Sequence, residues 1–214
     1  YDTTLREGNQ DRKISLSLAD KLQLTRLLDS FGVDFIEGGW PNPSNPLDEE
    51  YFVKVRELNL KHSKVAAFGS TRRANCDARE DLSLLAFVKS EAPIKTIFGK
   101  SWDLHVTDVI RTSLEENLNM IESSVAFLKQ YSEQVFYDAE HFFDGYKANK
   151  THAVDTLHAA VRGGADFLVL CDTNGGTMPW EVEPITLEMA SLFDTPLGVY
   201  AHDDCGLGVA NSIY

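Results

Sequence analysis

Cysteine is scarce in this chain. Three residues, Cys76, Cys171 and Cys205, are scattered through 214 positions, too few and too far apart for a disulfide framework or a cysteine zinc site. A reducing cytoplasm is the compartment this usage fits. Positive charge is also short. Twenty Lys and Arg against 33 Asp and Glu leave a formal net charge of −13. That balance argues against a nucleic-acid or membrane-surface partner, since both draw on an excess of Lys and Arg. It leaves room for a local basic pocket. No apolar run approaches the ~20 residues of a membrane-spanning helix. No linker, charge block or low-complexity segment interrupts the pattern.

What the chain does have is alternation. Its hydrophobic fraction of 43% is enough for one domain with a substantial core. Strand-like runs appear at 34–37, 64–68, 94–98, 134–137, 166–171 and 197–202, and the opening segment reads as the end of another, making about seven. Their spacing of roughly 30 to 40 residues suits one strand–helix unit each. The near-continuous apolar run from Phe167 to Cys171 suits a parallel strand buried on both faces. Between the runs lie helical patterns. Ser17 caps a stripe of Leu18, Leu22, Leu24, Leu27, Leu28 and Phe31 that closes at Gly32. Ser113 and Glu116 form a capping-box pattern ahead of Leu114, Leu118, Ile121, Val125 and Leu128. Ala153, Val154, Leu157, Ala160 and Val161 stripe another helix, ended by Gly163-Gly164.

Two α/β architectures accommodate this. An open doubly wound sheet would need a glycine-rich phosphate loop after its first strand, and Glu7-Gly8-Asn9-Gln10 is not one. A TIM (β/α)8 barrel with about seven units present fits better, because nearly every strand-like run ends in polar residues. These ends include Arg6-Glu7, Glu37, Ser70 to Arg73, Lys100-Ser101, Glu140-His141, Asp172 to Asn174 and His202 to Asp204. The expectation is one catalytic barrel domain over 1–214, cut short at both ends. In the opening motif the Arg6 fork suits a carboxylate or carbonyl oxygen. Glu7 offers oxygen to a hard divalent ion.

The opening Tyr1-Asp2-Thr3-Thr4-Leu5-Arg6-Glu7-Gly8 resembles the signature of the DRE-TIM metallolyases, the isopropylmalate, homocitrate and citramalate synthases and hydroxymethylglutaryl-CoA lyase. The stretches 36–41, 67–73, 96–106, 137–149 and 170–177 resemble the citramalate synthase branch, so the likeness runs the length of the chain in order. It implies that Arg6 stabilises the oxygen of an α-keto acid and that Glu7 binds a divalent metal (Mg, Mn or Zn). It makes Glu140 a catalytic carboxylate and Glu37 the residue that holds Arg6. Thr173 would meet the keto-acid carboxylate, and His105 would lie in a loop that approaches substrate. Arg72, Arg73 and Lys100 are either partners for a CoA phosphate or ordinary surface charges. His62, His152 and His158 read as surface residues, and Asp172 as loop support.

One departure stands out. The family's His-x-His-Asn-Asp element reads Tyr200-Ala201-His202-Asp203-Asp204 here. His202 keeps the second position, which the resemblance makes a metal ligand, while Tyr200 replaces the first histidine and Asp203 the asparagine. Three readings stay open. The metal binds through Glu7, His202 and water; it recruits Asp204 or a Tyr200 phenolate; or metal and activity are lost. The activity implied is a Claisen-type condensation of acetyl-CoA with pyruvate, giving citramalate and CoA for isoleucine synthesis, in a cytoplasmic homodimer. The alternatives are a related isopropylmalate or homocitrate synthase, or a barrel that binds but does not catalyse.

Overall fold

The computed structural model describes residues 1–213. Six strands alternate with helices. The strands are β1 (Phe35–Gly39), β2 (Lys64–Ser70), β3 (Ile94–Lys100), β4 (Gln134–Glu140), β5 (Phe167–Asp172) and β6 (Leu197–Ala201). The helices are α1 (Leu18–Phe31), α2 (Pro46–Val55), α3 (Leu82–Ser90), α4 (Leu114–Lys129), α5 (Phe142–Ala148), α6 (Lys150–Gly163), α7 (Pro179–Leu192) and α8 (Gly208–Ile213). All strand pairs are parallel, and the order across the sheet follows the chain, β1 to β6, without a reversal. A doubly wound sheet reverses its strand order at a switch point. Sequential winding is the barrel's, here as a curled, incomplete one.

The opening segment forms no full strand. Asp2 alone bridges to Ile36, donating to the Phe35 carbonyl and accepting from the Glu37 amide, both at 2.9 Å. The chain then turns, with the Arg6 and Glu7 amides both on the Thr3 carbonyl. Six strands plus one bridge therefore stand where about seven strands were expected. The curl brings the two edges together: the Tyr200 hydroxyl lies 3.5 Å from Thr3 Oγ1.

Local signals explain most element ends. Ser17 and Asp20 make a reciprocal capping box at α1, and Gly32 ends it in the left-handed region at φ 91°. At α4 only half the expected box forms. Ser113 Oγ accepts from the Glu116 amide, but the Glu116 carboxylate turns to Arg72 and the Asn75 amide. On α1 the expected stripe is too wide. Lys21 and Thr25 are its buried residues, while Leu27 and Phe31 are 55% and 86% exposed. His152 is buried rather than at the surface, because α4 packs against α6 and Asn117 Nδ2 meets its Nε2 at 3.3 Å.

Alternate residues of each strand face the barrel interior. Its lower layer is apolar, with Ala66, Ile94 and Phe136 packed against Phe35 and Phe167. The outer faces pack on the helices through Ile97, Val135, Tyr137, Leu168 and Leu170, all fully buried. A buried polar knot fixes the end of β1. Asp48 on α2 accepts from Lys21 of α1, from the Trp40 amide at 2.8 Å and from Asn45 Nδ2 at 2.7 Å. A Cβ at Gly39, where φ is 154°, would fall 2.4 Å from that carboxylate, so glycine is required there.

Candidate active site

The C-terminal ends of the strands enclose a cavity of about 230 Å³. Arg6, Glu7, Glu140, Thr173, Tyr200 and His202 all line it. They come from the opening turn and the ends of β4, β5 and β6, far apart in sequence. Parallel strands of sequential order deliver their ends to one rim, which is why polar strand ends converge.

Arg6 is the centre of charge. Its side chain is 8% exposed, with Nε on Glu37 Oε1 at 2.5 Å and one terminal nitrogen on Glu7. Its guanidinium carbon lies 3.8 Å over the Phe68 ring, within cation–π range. Burial works to lower the Arg6 pKa, but Glu37 and Glu7 outweigh it, and the guanidinium stays charged above its ordinary value. Glu37 is fully buried beneath the cavity, accepting from the Tyr1 hydroxyl at 2.7 Å as well as from Arg6. Burial pushes its carboxyl up, against the pull of Arg6 and of that hydroxyl.

Glu140 pairs with Lys100 across the β3–β4 ladder, where the two are register partners. Thr173 Oγ1 accepts from the His141 amide at 2.8 Å. Asp172 has both carboxylate oxygens on Thr177, at 2.8 and 3.1 Å, and so holds the loop after β5. Arg72 is buried on Glu116 at 2.7 Å, while the Arg73 side chain is exposed, 3.4 Å from Asp81.

Other expected residues lie outside the cavity lining. His105 sits in a single π-helical turn, His105–Val109, packed on Trp102 and His141 with ring centroids 4.9 and 4.4 Å away. Its Nδ1 is buried without a partner. Burial first, then His141 and Lys100, lower its pKa. Asp204 is solvent-exposed, its carboxylate 3.9 Å from His202 Nδ1.

Of the expected metal ligands, Glu7 and His202 line the cavity; Glu140, also in the lining, is paired with Lys100. Glu7 already faces Arg6. Tyr200, whose ring centroid lies 4.9 Å from that of His202, is a weak third donor, because burial pushes its phenol up to about 12. Among the described residues no group of three or more His, Cys, Asp or Glu side chains is placed to hold a metal. The donor set falls short of the ion that the family resemblance implies.

Several lining residues carried no chemical signal in the sequence. Trp40, Phe68 and Phe98 form one wall. Trp40 meets the two phenylalanines edge-on at 5.7 and 5.5 Å, and the phenylalanines stack at 5.3 Å. Asp138, two residues before Glu140 on the same face of β4, is 7% exposed and lines the floor beside Cys171. Burial first, then Glu37, raises the Asp138 carboxyl well above the ordinary range. Strand periodicity was the available signal: Phe98 and Lys100, like Asp138 and Glu140, are spaced two apart on inward-facing positions.

Comparisons with known proteins bear on this geometry. The family model described as HMGL-like matches residues 1–214. The chain is 53% identical over 214 residues to an (R)-citramalate synthase of Aquifex aeolicus and 49% identical over 212 residues to one of Sulfolobus acidocaldarius. It is 31% identical over 217 residues to a 2-isopropylmalate synthase of Vibrio cholerae. The alignments take in 99 to 100% of this chain but only 40% of each relative, so the chain spans about two fifths of their length. Among solved structures, hydroxymethylglutaryl-CoA lyase from Pseudomonas aeruginosa superposes with a TM-score of 0.77 at 19% identity, covering 98% of this chain and 69% of that one. That likeness establishes the barrel fold and nothing finer. With a family model matching its whole length and a barrel wound in the same way, the chain belongs to the HMGL-like family.

Proposed function

We propose that this chain carries the keto-acid site of an acyltransferase that condenses acetyl-CoA with pyruvate to give citramalate and CoA. The observation that carries the reading is the placement of Arg6, Thr173 and Glu140 around one small cavity, walled on one side by Trp40, Phe68 and Phe98. Identity of 47 to 53% to five (R)-citramalate synthases supports the choice of acid over the isopropylmalate alternative at 30 to 31%.

The chemistry follows from the side chains. The guanidinium of Arg6 faces the ketone oxygen and stabilises the alkoxide that develops when the acetyl enolate attacks. The Thr173 hydroxyl donates to the keto-acid carboxylate. The methyl end would lie against the aromatic wall, which makes Trp40, Phe68 and Phe98 the side chains that set the size of acid admitted. Glu140, held by Lys100, orients the water that cleaves the thioester. No step is assigned to a metal, because the donors present do not complete a site. The resemblance further supports a homodimer working in the cytoplasm in isoleucine synthesis. No helix among the described residues is long and apolar enough to cross a membrane.

Tyr200 favours a second reading, a barrel that binds the acid without condensing it. One assay separates the readings: thiol release from acetyl-CoA by the full-length protein with pyruvate, 2-ketoisovalerate and 2-oxoglutarate. Release with pyruvate alone supports the first reading. Release only with a larger acid overturns the choice of substrate, and none with any acid supports the second reading.

A further inference from the structure

We propose that His141 and Asp144 are positioning residues that aim the Thr173 hydroxyl into the cavity; the inference rests on the reading of Thr173 as the group that meets the keto-acid carboxylate. Neither His141 nor Asp144 lines the cavity, so any effect they have on substrate passes through a neighbour.

The first observation is a backbone conformation. His141 has φ 55° and ψ 37°, the left-handed region, between the end of β4 and the start of α5. A residue with a Cβ pays roughly 1–2 kcal/mol there, so something must hold it. The second observation shows what does. His141 Nδ1 lies 3.2 Å from Asp144 Oδ2, and the same oxygen accepts from Asn174 Nδ2 at 2.9 Å. One carboxylate thus ties the loop after β4 to the loop after β5. The imidazole packs against Trp102 and His105, with its side chain only 12% exposed. The His141 hydrogen bond, the largest cause, holds Asp144 below its ordinary pKa, so the carboxylate is ionised at neutral pH.

The third observation is what the constrained backbone does. The His141 amide donates to Thr173 Oγ1 at 2.8 Å. A hydroxyl has two acceptor lone pairs and one proton to give. With a lone pair occupied by the His141 N–H, the Thr173 hydrogen is left to point elsewhere, and the open side is the cavity shared with Arg6 and Glu140. Asn174, next to Thr173, is pinned by the same Asp144. The clasp thus acts on the loop from both sides, setting the lone pair and the position of the hydroxyl together.

The test uses the full-length protein with Asp144→Ala, His141→Ala, His141→Gly, Thr173→Val and the double variant Asp144→Ala/Thr173→Val. Asp144→Ala and Thr173→Val should each raise KM for pyruvate by about tenfold or more, the worth of a hydrogen bond to a charged group. The change in kcat and in KM for acetyl-CoA should stay within about threefold. The double variant should be no worse than Thr173→Val, because both remove one interaction. His141→Gly, free to adopt the left-handed backbone without the ring, should recover part of what His141→Ala loses. Additive effects in the double variant, or equal losses in kcat and in both KM values, would overturn the proposal.

A second readout does not depend on turnover. Hydrogen exchange at the His141 amide should accelerate by about tenfold or more in both Asp144→Ala and Thr173→Val. An unchanged rate in Asp144→Ala overturns the clasp. If the wild-type protein releases no thiol with any keto acid, the functional reading has failed, and the exchange rates still decide whether Asp144 holds His141 on Thr173.

Discussion

Replacing Tyr200 with histidine tests whether the cavity falls one donor short of a metal centre. A phenol binds a hard cation well only as phenolate. With an ordinary pKa near 10, ionising it at pH 7 costs about 4 kcal/mol. Tyr200 is worse placed: burial, the largest influence, lifts it to about 12, despite the Thr3 hydroxyl and Arg6 working the other way. The cost then rises to roughly 7 kcal/mol, and a metal must supply it before gaining a ligand. A neutral imidazole at pH 7.5 needs no such step. Position 200 is two residues before His202 on one strand face, and the two rings are already 4.9 Å apart. Tyr200→His should therefore tighten Mn²⁺ binding by at least about tenfold, or about 1.4 kcal/mol. The measurement is Mn²⁺ titration of the full-length protein by electron paramagnetic resonance or calorimetry. Tyr200→Phe is the control, since it removes the hydroxyl and adds no donor. The reasoning fails if Tyr200→His binds Mn²⁺ no better than Tyr200→Phe. It fails equally if the wild type already binds as tightly as the histidine variant.

Other perturbations probe the scaffold and the site. Lys95 is fully buried, its ammonium bonded only to the Ala92 carbonyl and Ser90 Oγ, and burial pushes its pKa down to about 7. The unfolded chain, with Lys near 10.4, binds that proton more readily. The penalty is thus full below about pH 7 and relieved as pH rises toward the unfolded value, so Lys95→Met should stabilise by about 1–4 kcal/mol at pH 7 and by little near pH 10; thermal melts of both proteins across pH, running parallel, would contradict this. Asp48→Asn leaves the Lys21 ammonium, 0% exposed, without its counter-charge, and should cost about 3–5 kcal/mol in a denaturation experiment. Trp40→Ala or Phe98→Ala should shift the kcat/KM ratio of 2-ketoisovalerate to pyruvate upward by about tenfold, the scale of pocket discrimination by size; an unchanged ratio would remove the wall from the account of specificity. Glu7→Gln should lower KM for pyruvate if the carboxylate only competes for Arg6, and raise it if the carboxylate holds a cation needed for binding, which kinetics with and without Mn²⁺ will separate.

The barrel was legible because its signals are local. A buried parallel strand needs an apolar run, and a helix start needs a residue such as Ser17 with Asp20 three positions on. Pairing decided the rest. The opening segment reads like a strand, yet only Asp2 finds a partner before the backbone folds onto the Thr3 carbonyl. Leu27 and Phe31 obey helical periodicity and still face solvent, because periodicity names a face without naming what lies against it. The site divides in the same way. Polar residues at strand ends announce where a site can lie in an α/β chain, and the family resemblance picked Arg6, Glu7, Glu140, Thr173 and His202 out of them. Trp40, Phe68 and Phe98 are ordinary aromatics until three strand ends bring their rings within 6 Å of one another. His141, Asp144 and Asn174 become a unit only when the loops after β4 and β5 lie side by side.

The two carboxylates on Arg6 play unequal parts, and exposure tells them apart. The Glu37 side chain is 1% exposed and bonded to Tyr1 as well, so removing it would strand a buried guanidinium. The Glu7 side chain is 33% exposed and stands at the rim, where water can take over its solvation. One guanidinium thus faces two carboxyl groups, and Lys100 is matched by Glu140. On the proposed reading, an anionic keto acid competes with Glu7 for the guanidinium. In that reading Glu7 leaves Arg6 for the ketone to reach the guanidinium, and Glu37, locked below, keeps the fork in place while it does. With Tyr200 a poor donor beside His202, that exchange rests on Glu7 reaching solvent, the step that Glu7→Gln makes unnecessary.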